Sequence, residues 1–467
     1  MENEMAKENT PPPGHAIAEQ FAAWAFELNG ASLPQELRET ATSALIDHAG
    51  LSVSARHEEY IQAIVSAWEG EGACTAFGHA RGFDAAGAAL VNGTASHGED
   101  YDDTFEGTPV HTSAVIVPAV LAACERYGRS GEDALRGIAV GAELMCRMAI
   151  VAPTAQHRAG FHPTAIIGAL GAAAGVGTAL RLSPTQMVDS LGVAASFASG
   201  IIEYLAEGTW TKRIHPGWAA QAGLRAALFG RAGFKGPRTV FEGEHGFFYA
   251  FGVPEIEADF SQMTSGLGDE WKAARIAFKP YACGTMVQPF IDCAIRLARE
   301  GVRADQVEDV LCKVGEGTVH RLWEPLAEKR RPSTPYSAKF SVPFGVAVGF
   351  VDHAAGLGQF TEERIADSEV LALAGKVRYE IDPEDEYPRN YTGTVIVTLK
   401  DGSTRKAHQP HMRGGAREPL SREEILAKFW ANTRYGGWTD AQAEALAQWC
   451  ERLFGAPSLD GIEKFRA

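Results

Sequence analysis

The run PTAIIGALGAAAGVGTAL, residues 163–180, carries no charged side chain and is built mainly from glycine and alanine. Its length approaches that of a membrane span. A span, however, needs sustained strong hydrophobes, whereas here small residues dominate and Thr164 and Thr178 interrupt them. Small side chains let neighbouring backbones approach closely. The run therefore predicts a helix packed on all sides inside a helical core, and the rest of the chain has to supply the helices around it.

Those helices are visible in the apolar periodicity. From about residue 16 to 230, patterns of helical period alternate with short Gly, Pro or polar breaks: AIAEQFAAWAFEL, PQELRETATSALIDHAGLSV, FDAAGAALVNGTASH, EDALRGIAVGAELMCRMA and SPTQMVDSLGVAASFASGIIEYL. Ser183 before Pro184, and Ser130 before Glu132 and Asp133, read as helix caps. After about residue 277 the pattern changes. Segments 307–317, 375–383 and 392–404 are rich in β-branched residues and end in turn chemistry, with helical patterns at about 284–300 and 338–351 between them. The tail returns to amphipathic helices in SREEILAKFWANTRY and DAQAEALAQWCERLFG. The expected fold is mainly α with a smaller α+β domain: a helical domain from 15–268 and 415–467, an α+β lid from 269–414, and a disordered leader over 1–14. No fixed-period repeat is present.

Composition narrows the function. The formal net charge is -16 and the isoelectric point near 5.4, which argues against nucleic acid or an anionic membrane as partner. An anionic substrate would require the cationic side chains to be concentrated locally. Seven widely spaced cysteines without a C-x-x-C pair indicate neither a disulfide framework nor a zinc ribbon. With no export signal at the N-terminus, a cytoplasmic location is expected. GALGAAAGVG lacks the strand-turn-helix context of a dinucleotide fingerprint, and no Walker or G-x-S-x-G motif occurs. No cofactor is expected.

Four polar clusters carry the candidate chemistry. NGTASHGEDYDDTFEGTPVHTS, residues 92–113, holds His97, Glu99, Asp100, Asp102, Asp103, Thr104 and His111. It reads either as a capping and solvent loop or as a site. A metal is the weaker form of the second reading, because the spacing fits neither an EF-hand nor H-E-x-x-H. In RAGFHPTAIIG, His162 precedes Pro163 at a helix start, where it either caps the helix or holds an anion beside the N-terminal N–H groups. GTWTKRIHPGWAAQAG places Lys212, Arg213 and His215 before a helix that Pro216 would open; it is a carboxylate-binding corner or a solvated loop. RIAFKPYACGTMVQPFIDC sets Lys279 and Tyr281 near a domain boundary, where clefts form.

In this order and spacing, the four blocks resemble the MmgE/PrpD family of 2-methylcitrate dehydratases, cis-aconitate decarboxylases and an iminodisuccinate epimerase. The resemblance covers most of the chain. It implies a homodimer with its active site in a cleft between a helical domain and a lid, without metal. It carries over Asp100, Thr104, His111, His162, Lys212 and Lys279 as site residues, and local chemistry adds Arg213, His215 and Tyr281. Asp100, His111, His162 and Lys212 are the expected catalytic group; Thr104, Lys279, Arg213, His215 and Tyr281 are the expected substrate-binding group. Proton removal next to a carboxylate creates a dianion that needs rigid cationic donors, with an acid and a base of separated pKa beside it. The expected activity is a hydro-lyase on a small di- or tricarboxylate. Epimerisation of an imino- or amino-dicarboxylate is the alternative. Decarboxylation is the less favoured branch, because TFEGTPVH is longer than the spacing associated with decarboxylases. In addition, Gln288 replaces a histidine that many members have, and Val342 replaces a tyrosine expected in the decarboxylases.

Overall fold

The computed structural model describes residues 11–12, 14–28, 32–106 and 108–467. Apart from residues 11, 12 and 14, the expected leader lies outside them. The fold is mainly α, with a smaller α+β unit. By their contacts the residues form two units: one comprises the chain up to Gly98, Asp102–Ile276 and Gly436–Ala467, the other Glu99–Tyr101 and Ala277–Tyr435.

In the first unit, helix Pro163–Ala179 is buried along its whole length and packs against helices Ser113–Tyr127, Gly131–Val151, Pro184–Phe197 and Thr211–Arg231. Its glycines explain why these neighbours fit. A Cβ added at Gly175 would lie 2.8 Å from the carbonyl oxygen of Gly137, and one added at Gly171 would lie 3.1 Å from that of Gly141. Main chains are therefore in near contact, which larger side chains would forbid. Helix 184–197 is shorter than the expected pattern, which ran to residue 205. It ends at Phe197, and Gly200 follows with φ +132°, a conformation that L side chains rarely adopt. Helix Thr211–Arg231 begins before the expected start, so Pro216 lies inside it. Among the described residues, no helix is long and apolar enough to cross a membrane.

The second unit is built on a four-stranded sheet. Strand Val307–Val314 runs parallel to Val377–Ile381 and antiparallel to Gly393–Leu399, which pairs with Thr404–Gln409 at the edge. Helix Gln288–Arg299 packs on the last two strands and on helix Val342–Asp352. The latter starts later than expected, because the Ser341 hydroxyl caps it by accepting from the Phe344 N–H at 3.1 Å. Strand 307–314 stops short of the expected 317, where a 3₁₀ turn takes over at Glu316–Thr318. Helix Arg422–Tyr435 belongs to this unit and Asp440–Leu453 to the first, so the contact boundary falls at 435/436. The reason is local: Lys428 on the earlier helix binds the Tyr101 carbonyl, and the helix packs on the 357–359 turn.

Candidate functional site

The first unit gathers four imidazoles from four segments. His97 ends helix Ala85–His97, His111 lies just before helix Ser113–Tyr127, His162 occupies the N-cap position of Pro163–Ala179, and His215 lies on Thr211–Arg231. The His97 ring centre is 4.8 Å from that of His111 and 5.9 Å from that of His162; His162 is 5.3 Å from His215. The Tyr204 ring adjoins the last two, at 6.2 and 5.8 Å. All four histidines are buried.

Hydrogen bonds orient these rings. The Nδ1 of His97 lies 2.7 Å from Asp102 Oδ2, and His111 Nδ1 lies 2.7 Å from the Asp103 carbonyl oxygen and 3.4 Å from Asp102 Oδ1. A carbonyl only accepts, so His111 carries a proton on Nδ1, which leaves Nε2 as the nitrogen not tied to the main chain. Among the described residues, none is a hydrogen-bond partner for the buried His97 Nε2 atom. His162 does not cap its helix through its side chain; its Nδ1 lies 3.1 Å from the Nδ1 of His215, where one ring donates and the other accepts. Asp103 serves the scaffold: its carboxylate accepts from the Thr112 and Ser113 N–H groups at 3.2 and 3.0 Å and from the Thr112 hydroxyl at 2.6 Å, holding the start of helix 113–127. The loop is thus a capping loop and a histidine-bearing loop at once.

Burial sets the charge states. It pushes His97 down to about 4 against the pull of Asp102, and His215 down to about 4 with help from His97 and Lys212. Burial also takes His162 well below the usual imidazole range, and His215, His97 and Lys212 add to the effect. Burial opposes ionisation of Asp102, yet the flanking His111 and His97 hold it well below the ordinary carboxylate range. Near neutral pH the site therefore combines neutral His97, His162 and His215 with an ionised Asp102. His97, Asp102 and His111 each offer a ligand atom, all within 4.8 Å of one another, the residue types a zinc ion would use. Sequence spacing gave no sign of that trio; its atoms join here through the His97–Asp102 hydrogen bond at 2.7 Å and the His111–Asp102 ion-pair contact at 3.4 Å.

Of the expected residues, His111, His162 and His215 meet in this group, and Lys212, on the first turn of its helix, acts on its charge. Thr104 lies in the same loop, with its hydroxyl 3.5 Å from the Val110 carbonyl. Arg213 turns to Tyr60, its guanidinium 4.4 Å from the ring centre. The basic trio is part of the helix rather than a loop before it. In the second unit, Lys279 donates to the Asp100 carbonyl at 2.8 Å. There the Tyr281 hydroxyl donates to Asp292 at 2.7 Å, and burial lifts Asp292 to about 6. A larger cavity of about 980 Å³ in the first unit is lined by Glu242, Glu244 and His245 but by none of the expected residues. Its two carboxylates make it a poor receptacle for a polyanion.

Sequence reasoning did not select His97 and Asp102, although both stand in the 92–113 cluster. The signal was their shared loop with His111. His48 was not seen at all: it is buried in helix Gln35–Ser54, feels Asp102, and is pushed by burial to about 3.

Comparison with known proteins identifies the family. The MmgE/PrpD N-terminal domain model matches residues 19–257 and the C-terminal domain model residues 281–453. The chain is 28% identical over 452 residues to a cis-aconitate decarboxylase of Aspergillus terreus, covering 91% of this chain and 90% of that protein. It is 30% identical over 359 residues to the Homo sapiens cis-aconitate decarboxylase, covering 74% and 72%. Two domain models in the expected order, together spanning both units, establish that the chain belongs to the MmgE/PrpD family.

Proposed function

We propose that the chain is a metal-independent lyase that removes the proton next to a carboxylate of a small di- or tricarboxylate, and that the bond broken next is to a hydroxyl group, as in a 2-methylcitrate dehydratase. The observation that carries this reading is the cluster of buried imidazoles kept neutral by desolvation beside Lys212. A neutral imidazole is the form that accepts a proton, and an ammonium group favours the dianion that forms. His111 is the base in this reading, since its Nδ1–H on the Asp103 carbonyl leaves Nε2 free to accept. The resemblance carries over Lys279 and Asp100 as site residues as well, and Asp100 and His162 are the remaining candidates for the acid that protonates the leaving hydroxyl. Decarboxylation is the second reading, favoured by the names of the Aspergillus and human relatives.

Turnover by EDTA-treated enzyme on 2-methylcitrate, citrate, cis-aconitate and iminodisuccinate, followed by proton NMR in deuterium oxide, tests the proposal. A new alkene signal from a hydroxylated substrate supports it. Carbon dioxide release from cis-aconitate moves the protein to the second reading, and α-deuteration without elimination moves it to epimerisation. Loss of all activity on EDTA treatment, restored by a divalent cation, would assign His97, Asp102 and His111 to a metal. The homodimer belongs to the same proposal. Phe229 and Phe234, 46% and 62% exposed with ring centres 5.9 Å apart, are apolar surface that a second copy would cover; light scattering that returns one chain mass would remove it.

A further inference from the structure

Three lysines far apart in the sequence end on three successive backbone carbonyls. Lys339 donates to Glu99 at 2.8 Å, Lys279 to Asp100 at 2.8 Å, and Lys428 to Tyr101 at 2.6 Å. They are only 1%, 1% and 6% exposed. Lys339 also pairs with the Glu99 carboxylate, and the Lys428 ammonium lies 4.0 Å from the centre of the Tyr101 ring. The Tyr101 hydroxyl in turn donates to the Pro280 carbonyl at 3.0 Å. At the middle of the clamped segment, Asp100 has φ +54°.

Taking an ammonium group out of water is costly unless it is paired and hydrogen-bonded, and three of them converge on one tripeptide. A left-handed conformation at a residue with a Cβ persists where its surroundings over-determine it. All of these groups lie in one unit of the structure. In sequence, His97 stands just before the tripeptide and Asp102 directly after it.

We infer that Lys339 and Lys428 act with Lys279 as positioning residues: they hold the backbone of 99–101 so that Asp100 keeps its left-handed conformation and its carboxylate keeps one direction toward substrate. The inference rests on the reading of Asp100 as a catalytic group, so its test combines a readout of the segment itself with a readout of turnover. Lys339→Met, Lys428→Met and the milder Tyr101→Phe, which removes only the hydroxyl that binds Pro280, are compared with the unaltered chain. Amide hydrogen exchange is followed in a peptide covering 98–104 and in peptides from the 307–314 and 393–399 strands.

The expected result for the lysine variants is exchange at 98–104 faster by about ten-fold or more, with the strands unchanged. With it, kcat falls about ten-fold or more while KM stays within about three-fold. Tyr101→Phe shifts both readouts in the same sense by less, and it decides the matter if a lysine variant does not fold. Unchanged exchange at 98–104 in every folded variant overturns the clamp, whether or not a substrate has been found. Faster exchange with full kcat overturns the positioning role, and equal acceleration in the strands reduces the lysines to general stabilisers of their unit.

Discussion

His162 and His215 share a single Nδ1 to Nδ1 contact at 3.1 Å, so each ring fixes the tautomer and tilt of the other. Sequence placed both at helix starts, and left open whether His162 capped its helix or held an anion and whether His215 belonged to a carboxylate-binding corner or a solvated loop. What it could not supply was their pairing, because 53 residues separate them and no local spacing encodes a contact between two helices. The pairing makes a prediction. If His215 orients His162 for chemistry, His215→Ala lowers kcat by about 10–100-fold, the usual loss when a supporting partner is removed. His215→Asn, whose side chain can place a polar atom near the lost Nδ1, recovers part of it. A rise in KM with unchanged kcat would instead return His215 to substrate binding, as the sequence suggested. Lys339 and Lys428 were illegible for the same reason: a lysine in a helical pattern reads as solvated surface unless its carbonyl partner is known.

Among the elements, the glycine and alanine run was the most legible, since an uncharged stretch of small residues has few other places to go than a close-packed core. The edge strand Thr404–Gln409 was the least. Its exposed positions carry Arg405, Lys406 and His408, and only Ala407 and Gln409 are buried, so the charges that protect a sheet edge also erase its apolar alternation. The small-residue logic extends beyond the run itself. At the crossing of helices Ala85–His97 and Thr211–Arg231, a Cβ on Gly217 would lie 2.2 Å from the Leu90 carbonyl oxygen and 2.4 Å from the Thr94 hydroxyl. Alanine is the better helix former by about 1 kcal/mol, yet overpacking a tight contact costs about 1–3 kcal/mol or more, and here the obstacle is main chain. Gly217→Ala is therefore expected to destabilise the protein despite its higher propensity. A denaturation midpoint equal to or above that of the parent would show that the two helices can separate at little cost.

Over the whole molecule, the change of periodicity near residue 277 coincides with the start of the second contact unit at Ala277, while the assignment of 99–101 and 422–435 to that unit depends on hydrogen bonds that leave no trace in local sequence. Burial of histidine is likewise invisible in composition, yet it governs how the protein responds to acid. Burial lowers His48 to about 3, and lowers His79 and His215 to about 4 and His162 well below its usual range. The unfolded chain titrates these groups near 6.5. Their folded values are depressed, so the stability they confer is fully present above about pH 6.5 and is lost as pH falls toward about 4, where the unfolded state binds the extra protons. Each group that differs by a full proton contributes a slope of about 1.4 kcal/mol per pH unit. Three or four together give about 4–6 kcal/mol per unit, which is large against a total stability of about 5–15 kcal/mol. Carboxylates such as Asp102, held low in the folded state, add their loss only at still lower pH. The melting temperature should thus be nearly level from pH 8 to 7 and fall by about 5 °C or more between pH 7 and 5.5, with cooperative unfolding near pH 5. A level melting temperature down to pH 5 would mean that these imidazoles find proton acceptors or water in the folded protein, and would remove the premise that His162 and His215 are held neutral by burial.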